Sequence, residues 1–191
     1  MSEKPKSASR FTLWAVAAVC IAPFVASFMV YFLWPPAGRV NYGELLQPAP
    51  LPAAQLRLVD GGPFDFSRLA GKWILVTVDS GACDDHCRQK LWKMRQVRRA
   101  QGKDMERIER VWLVNDGQQP DPRVLEEYEG TWAVFAAGSP VLASLPAEGV
   151  RKDHVYLVDP LGNVMLRFPP DADPSRMKKD IVRLLKVSRI G

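Results

Sequence analysis

Residues 11–34 contain no charged side chain, and about 20 apolar residues rising ~1.5 Å each are enough to cross a bilayer as a helix. Such a run divides the chain into a short part before the membrane and a long part beyond it. Lys4, Lys6 and Arg10 lie ahead of it against Glu3, and Arg39 is the first charge behind it. Positive-inside asymmetry therefore holds the N-terminus in the cytoplasm and exports the remainder, in a bacterium to the periplasmic side of the inner membrane. A cleaved signal peptide is the alternative, but its apolar region is typically about 7–15 residues. Trp14, Tyr31 and Trp34 also suit interfacial positions of a permanent anchor. Cys20, in mid-span, reads as a small apolar filler.

Pro35, Pro36, Pro48, Pro50 and Pro52 come after the span. Prolines at that density favour extended, unpaired backbone. The expected layout is residues 1–10 in the cytoplasm, 11–34 in the membrane, 35–52 as linker and 53–191 as one domain. About 140 residues are enough for a single core without many covalent staples. A net charge of +5 is modest and, on an exported domain, argues against nucleic acid as partner. Cysteine usage is sharper. Oxidising compartments use cysteines as braces, yet beyond Cys20 the chain holds only Cys83 and Cys87, whose loop is too small to brace a domain.

That pair lies in Gly81-Ala82-Cys83-Asp84-Asp85-His86-Cys87, between a strand-like and a helix-like run. On a helix, positions i and i+4 share a face with Cβ atoms roughly 5–6 Å apart, so the sulfurs can converge on one ion or bond to each other. Metal binding and dithiol redox chemistry both remain open. Residues 55–59 read as a strand, followed by a turn at Asp60-Gly61-Gly62-Pro63 and a hairpin partner at 64–66. Residues 73–78 read as a strand buried on both faces. Leu91, Met94 and Val97 recur at helical spacing over 88–100. A strand over 108–114, a helix over 121–128, strands over 154–158 and 164–168 around Asp159-Pro160-Leu161-Gly162-Asn163, and a helix from Pro174 complete the reading. The last helix carries Met177, Ile181, Leu184 and Leu185 on one stripe. This βαβαββα order is an α/β, thioredoxin-like, three-layer arrangement with right-handed crossovers.

In order along the chain, Gly71-Lys72 before the buried strand, Cys-x3-Cys at its exit, Asp121-Pro122 through Tyr128, and Asp153-His154 opening a strand that ends Asp159-Pro160-Leu161-Gly162 resemble the Sco/SenC family. Those are membrane-anchored copper proteins that help assemble the dinuclear copper centre of cytochrome c oxidase. The resemblance covers most of the exported domain. It implies Cys83, Cys87 and His154 as metal ligands, copper as Cu(I) or Cu(II), and the oxidase subunit carrying that centre as partner. The donor set suits the metal, since soft thiolates favour Cu(I) and an imidazole helps hold Cu(II). Asp153 adjoins His154, but neighbours in a strand face opposite ways, so it is expected to shape the loop.

The family places proline after each cysteine, whereas here Asp84 and Arg88 stand there, and the loop lacks that local stiffness. Asp84 and Asp85 either screen a bound cation or cap the helix, and His86 reads as a spectator. Arg88, Lys90, Lys93, Arg95, Arg98, Arg99 and Lys103 would make a basic face able to dock an acidic surface or anionic headgroups. The implied function is a copper metallochaperone without substrate turnover. Its rivals are a thiol–disulfide oxidoreductase, with Cys83 and Cys87 as the redox pair keeping partner cysteines reduced, and a degenerate thioredoxin-like scaffold. The oligomeric state is not legible.

Overall fold

The computed structural model describes residues 10–33, 41–147 and 149–188. The expected cytoplasmic residues 1–9, Trp34 at the end of the expected span and residues 35–40 of the linker lie outside them. Two units are present, one up to Val40 and one from Asn41. In the first, α1 (Arg10–Leu33) runs continuously through Pro23 and buries no residue. It is long and apolar enough to cross a membrane, as a permanent anchor would be.

The second unit is built on one eight-stranded sheet. Its strands are β1 (Glu44–Pro50), β2 (Leu56–Leu58), β3 (Pro63–Phe64), β4 (Trp73–Asp79), β5 (Ile108–Val114), β6 (Thr131–Phe135), β7 (Val155–Val158) and β8 (Asn163–Phe168). Their spatial order is β1-β8-β7-β4-β5-β6-β2-β3. β4, β5 and β6 run parallel, while β7 is antiparallel to β4 and β8 to β7. All seven residues of β4 are buried, as its unbroken apolar run requires. Because side chains alternate, Ile74, Val76 and Val78 enter one core with Val111, Leu113 and Tyr156. Trp73 and Leu75 enter the other with Met94, Val97, Met177 and Ile181. That second face is covered by α2 (Asp85–Arg99) and α5 (Pro174–Val187), with α3 (Pro122–Glu127) beside them; the first face carries α4 (Pro140–Ser144). This is the thioredoxin-like, layered α/β arrangement expected.

Three elements differ from the sequence reading. The stretch assigned to an unpaired linker is, over Glu44–Pro50, an edge strand pairing antiparallel with β8, so the folded unit begins well before residue 53. Proline is tolerated there because an edge strand has one side without a ladder partner. Its attachment is specific: Gly43 N donates to the buried Asp180 carboxylate at 2.8 Å, and Arg167 Nε donates to Glu44 at 3.1 Å. β6 and α4 are the other two, neither expected from the sequence, although β6 supplies a parallel partner for β5. The expected hairpins are present, the second closed by Asp159 N donating to Asn163 O at 2.9 Å.

Candidate functional site

β4 ends at Asp79, and the chain turns through Ser80 and Gly81 to reach Cys83, whose N–H donates to Ser80 O at 3.1 Å. Cys83 has φ of 40°, a left-handed conformation that costs a non-glycine residue about 1 kcal/mol. The loop is held in it by a neighbour. Asp116, just beyond β5, accepts from Ser80 Oγ at 2.6 Å and from Gly81 N at 3.0 Å. Burial raises the Asp116 pKa, but the bonds from Ser80, Gly81 and Gln118 outweigh it and hold the carboxyl below its usual 3.8. Any Cβ on Gly81 would collide with the carbonyl of Gln118, so glycine lets the two loops touch.

The acidic pair after Cys83 caps the helix. Asp84 is the N-cap of α2 and accepts from Cys87 N at 2.9 Å, a bond that is the main cause of its lowered pKa. Cys87 therefore sits in the first turn, and its sulfur is bonded to that of Cys83 with the Cα atoms 5.1 Å apart. The disulfide is 3% exposed at Cys83 and 0% at Cys87. It packs with Leu91, Trp112, Val124 and Tyr128, which are buried like the sulfurs.

Beside it lies a buried ion pair that the sequence reading missed. Lys90 Nζ is 2.7 Å from Asp79 Oδ2, and it donates also to Val78 O at 3.0 Å and to Lys152 O. Two of its N–H bonds go to these carbonyls, and Asp79 supplies the counter-charge. Burial lowers the Lys90 pKa, with the Asp79 hydrogen bond opposing. Lys90 thus ties the helix carrying Cys87, the exit of β4 and the turn Arg151–Asp153 that precedes His154. It is no part of an exposed basic face. Arg95 and Arg98 are likewise turned to backbone, donating to Glu127 O at 2.9 Å and Ile108 O at 2.6 Å, and Arg88 lies 3.6 Å from Glu127. The docking face expected over α2 is correspondingly reduced.

His154 is buried, immediately ahead of β7. Since β7 is antiparallel to β4, the imidazole stands at the same end of the sheet as the cysteines. It faces the other side. Its ring lies 6.1 Å from that of Tyr156, a residue of the α4-side core, whereas the sulfurs pack on the side of α2 and α3. Nδ1 is 2.9 Å from Phe168 O. A carbonyl only accepts, so Nδ1 carries the proton in this bond. Asp153 does not supply this bond, in keeping with the expectation that it shapes the turn. His86, half-buried, is 3.9 Å from Asp171. Its ligand atom lies with those of Asp79 and Asp84 within 4.8 Å of one another, the one such group among the described residues. The structure therefore joins Cys83 to Cys87 and sets His154 across the sheet end from them.

Comparison with known proteins leads the same way. No curated protein matches the chain at a significant level. Among solved structures, copper-bound yeast Sco1 superposes with a TM-score of 0.61 at 18% identity, over 75% of this chain and 96% of that one. Copper-bound ScoI of Bradyrhizobium japonicum gives 0.54 at 21% identity, over 71% and 99%. A thioredoxin-family thiol:disulfide interchange protein of Chlorobium tepidum gives 0.57 at 19% identity, over 73% and 98%. At these identities the likeness is one of fold, and it spans copper and disulfide proteins alike. Residues 73–188, from β4 to the end of α5, match the family described as transmembrane-like, thioredoxin-like, C-terminal domain, and the chain belongs to that family.

Proposed function

We propose that this protein is a membrane-anchored, Sco-type copper carrier whose cargo site is the reduced Cys83–Cys87 pair. The N-terminus lies in the cytoplasm and the domain in the periplasm. The recipient is the respiratory cytochrome c oxidase subunit that carries the dinuclear copper centre. The observation that carries the reading is the bonded pair itself: two sulfurs meet at the first turn of a helix, on a fold shared with copper-bound Sco proteins. A partner dithiol supplies two electrons and two protons to open the disulfide and is itself oxidised to a disulfide. Two thiols then lose their protons as Cu(I) binds between the sulfurs, and the positive end of α2 favours the thiolates.

His154 is the third proposed ligand. The reading gives it to the Cu(II) form, where an imidazole is the better donor, and from its place across the sheet end reaching the metal requires the turn ahead of β7 to shift. A second reading, reduction of a partner's disulfide by Cys83 and Cys87 without copper, is favoured by that same placement of His154 and by the fold likeness to a disulfide interchange protein. A scaffold without chemistry has less support, because the fold brings the two sulfurs together.

Anaerobic Cu(I) titration of the reduced chain in a Cys20→Ser background separates these. One copper per chain is expected, lost in Cys83→Ser and in Cys87→Ser and kept in His154→Ala. No binding, with turnover of a disulfide substrate, would replace the copper reading by the redox one.

A further inference from the structure

Beneath the C-terminal half of α2, away from the cysteines, Arg110 of β5 is 3% exposed. Its Nη2 donates to Glu129 O at 2.7 Å, but Nε and Nη1 meet no acceptor among the described residues. Thr131, paired with Arg110 across β5 and β6, also leaves a buried Oγ1 without a hydrogen bond. Gly130, at φ of 78°, leaves room for the guanidinium, since a Cβ there would come within 3.2 Å of Nη2.

Three more arginines surround it. Arg98 is anchored at Ile108 O and Arg95 at Glu127 O, with Arg99 exposed beside them. No carboxylate pairs with any of the four among the described residues. Burial first, then Arg98, Arg95 and Arg99, push the Arg110 pKa down to about 10. Glu109, the carboxylate that opposes them, accepts from Trp132 Nε1 at 3.2 Å. A buried cation with unused donors and no carboxylate in ion-pair contact is a costly arrangement, and tetrahedral oxyanions are what arginine clusters complement best.

We propose that Arg110, with Thr131 beside it and Arg95 and Arg98 flanking it, is a binding site for a phosphate group, either free phosphate or the phosphate of an anionic lipid headgroup. The anion enters past Arg95, whose only tie here is a single bond to a carbonyl, and takes the unused donors of Arg110 and the hydroxyl of Thr131. The site is independent of the copper reading.

The test uses the full chain in nanodiscs. In zwitterionic discs, the thermal midpoint is followed with rising inorganic phosphate against chloride at matched ionic strength. A second arm replaces the phosphate by phosphatidylglycerol in the disc. The wild type is expected to rise saturably in at least one arm, the responding arm naming the source of the anion. Arg110→Met is expected to match or exceed the wild-type midpoint in chloride, because it removes an unpaired charge, and to lose the response. Arg95→Gln/Arg98→Gln, which leaves the core intact, is expected to weaken the apparent affinity at least tenfold. No response in either arm, or a response that Arg110→Met retains, overturns the proposal. Should Arg110→Met fail to fold, an unchanged affinity in the double variant overturns it equally.

Discussion

Asp116 does for the cysteine loop what the missing prolines would otherwise do, because its two oxygens pin Ser80 and Gly81 beneath Cys83. Its carboxyl titrates below the usual value, so its contribution is present above pH 3.8 and is lost as the pH falls through the depressed value. Chemical denaturation across pH 2–6 is expected to show that loss in the wild type and to lack it in Asp116→Asn. That variant should be less stable at pH 6 by about 1–2 kcal/mol, the scale of a charged hydrogen bond removed. Gly81→Ala forces a collision with Gln118 and should lower the thermal midpoint while leaving the far-UV spectrum intact. Lys90→Met strands the buried Asp79 carboxylate and is expected to cost about 3–5 kcal/mol, whereas Lys90→Met/Asp79→Asn should recover much of it. Denaturant midpoints of the two variants check the difference. Asp116 and Asp79 were not legible as part of the site, Gly81 was so only as the start of the cysteine motif, and Lys90 only as one member of a basic run. Lys90 carries the same letter as the solvated lysines around it, and only the strand alternation that turns Asp79 towards α2 distinguishes it.

At the level of elements, legibility followed burial. β4 was plain because both faces are covered and the whole run is apolar, and α5 because Met177, Ile181 and Leu185 repeat at helical period beneath exposed lysines. β1 was not, because its prolines signal a break and the pairing that overrides them comes from β8, more than a hundred residues away. β6 is five residues, three of them only partly buried, within a long uncharged stretch that offers no boundary. The edge strand carries a prediction of its own. A domain begun at residue 53 loses Glu44 from the buried Arg167 and Gly43 from the buried Asp180. It should unfold at lower denaturant than one begun at residue 41, by an amount that urea titration of the two fragments measures directly.

For the whole molecule, the sequence showed the division into an apolar helix and one thioredoxin-like unit, and it marked Cys83 and Cys87 by their isolation. It left the position of His154 undetermined, since Asp153-His154 before a strand fixes which end of the sheet the ring occupies but not which side. That side is set by the alternation along β7 and by the carbonyl of Phe168. On the proposed reading, copper is the cargo of the two sulfurs and the imidazole is recruited on oxidation. X-ray absorption at the copper edge of the loaded full-length chain tests this most directly. Two sulfur scatterers per Cu(I) are expected in both wild type and His154→Ala, with a nitrogen scatterer gained on oxidation in the wild type alone. A Cu(I) spectrum without sulfur, or one unchanged when Cys83 and Cys87 are replaced by serine, would contradict it.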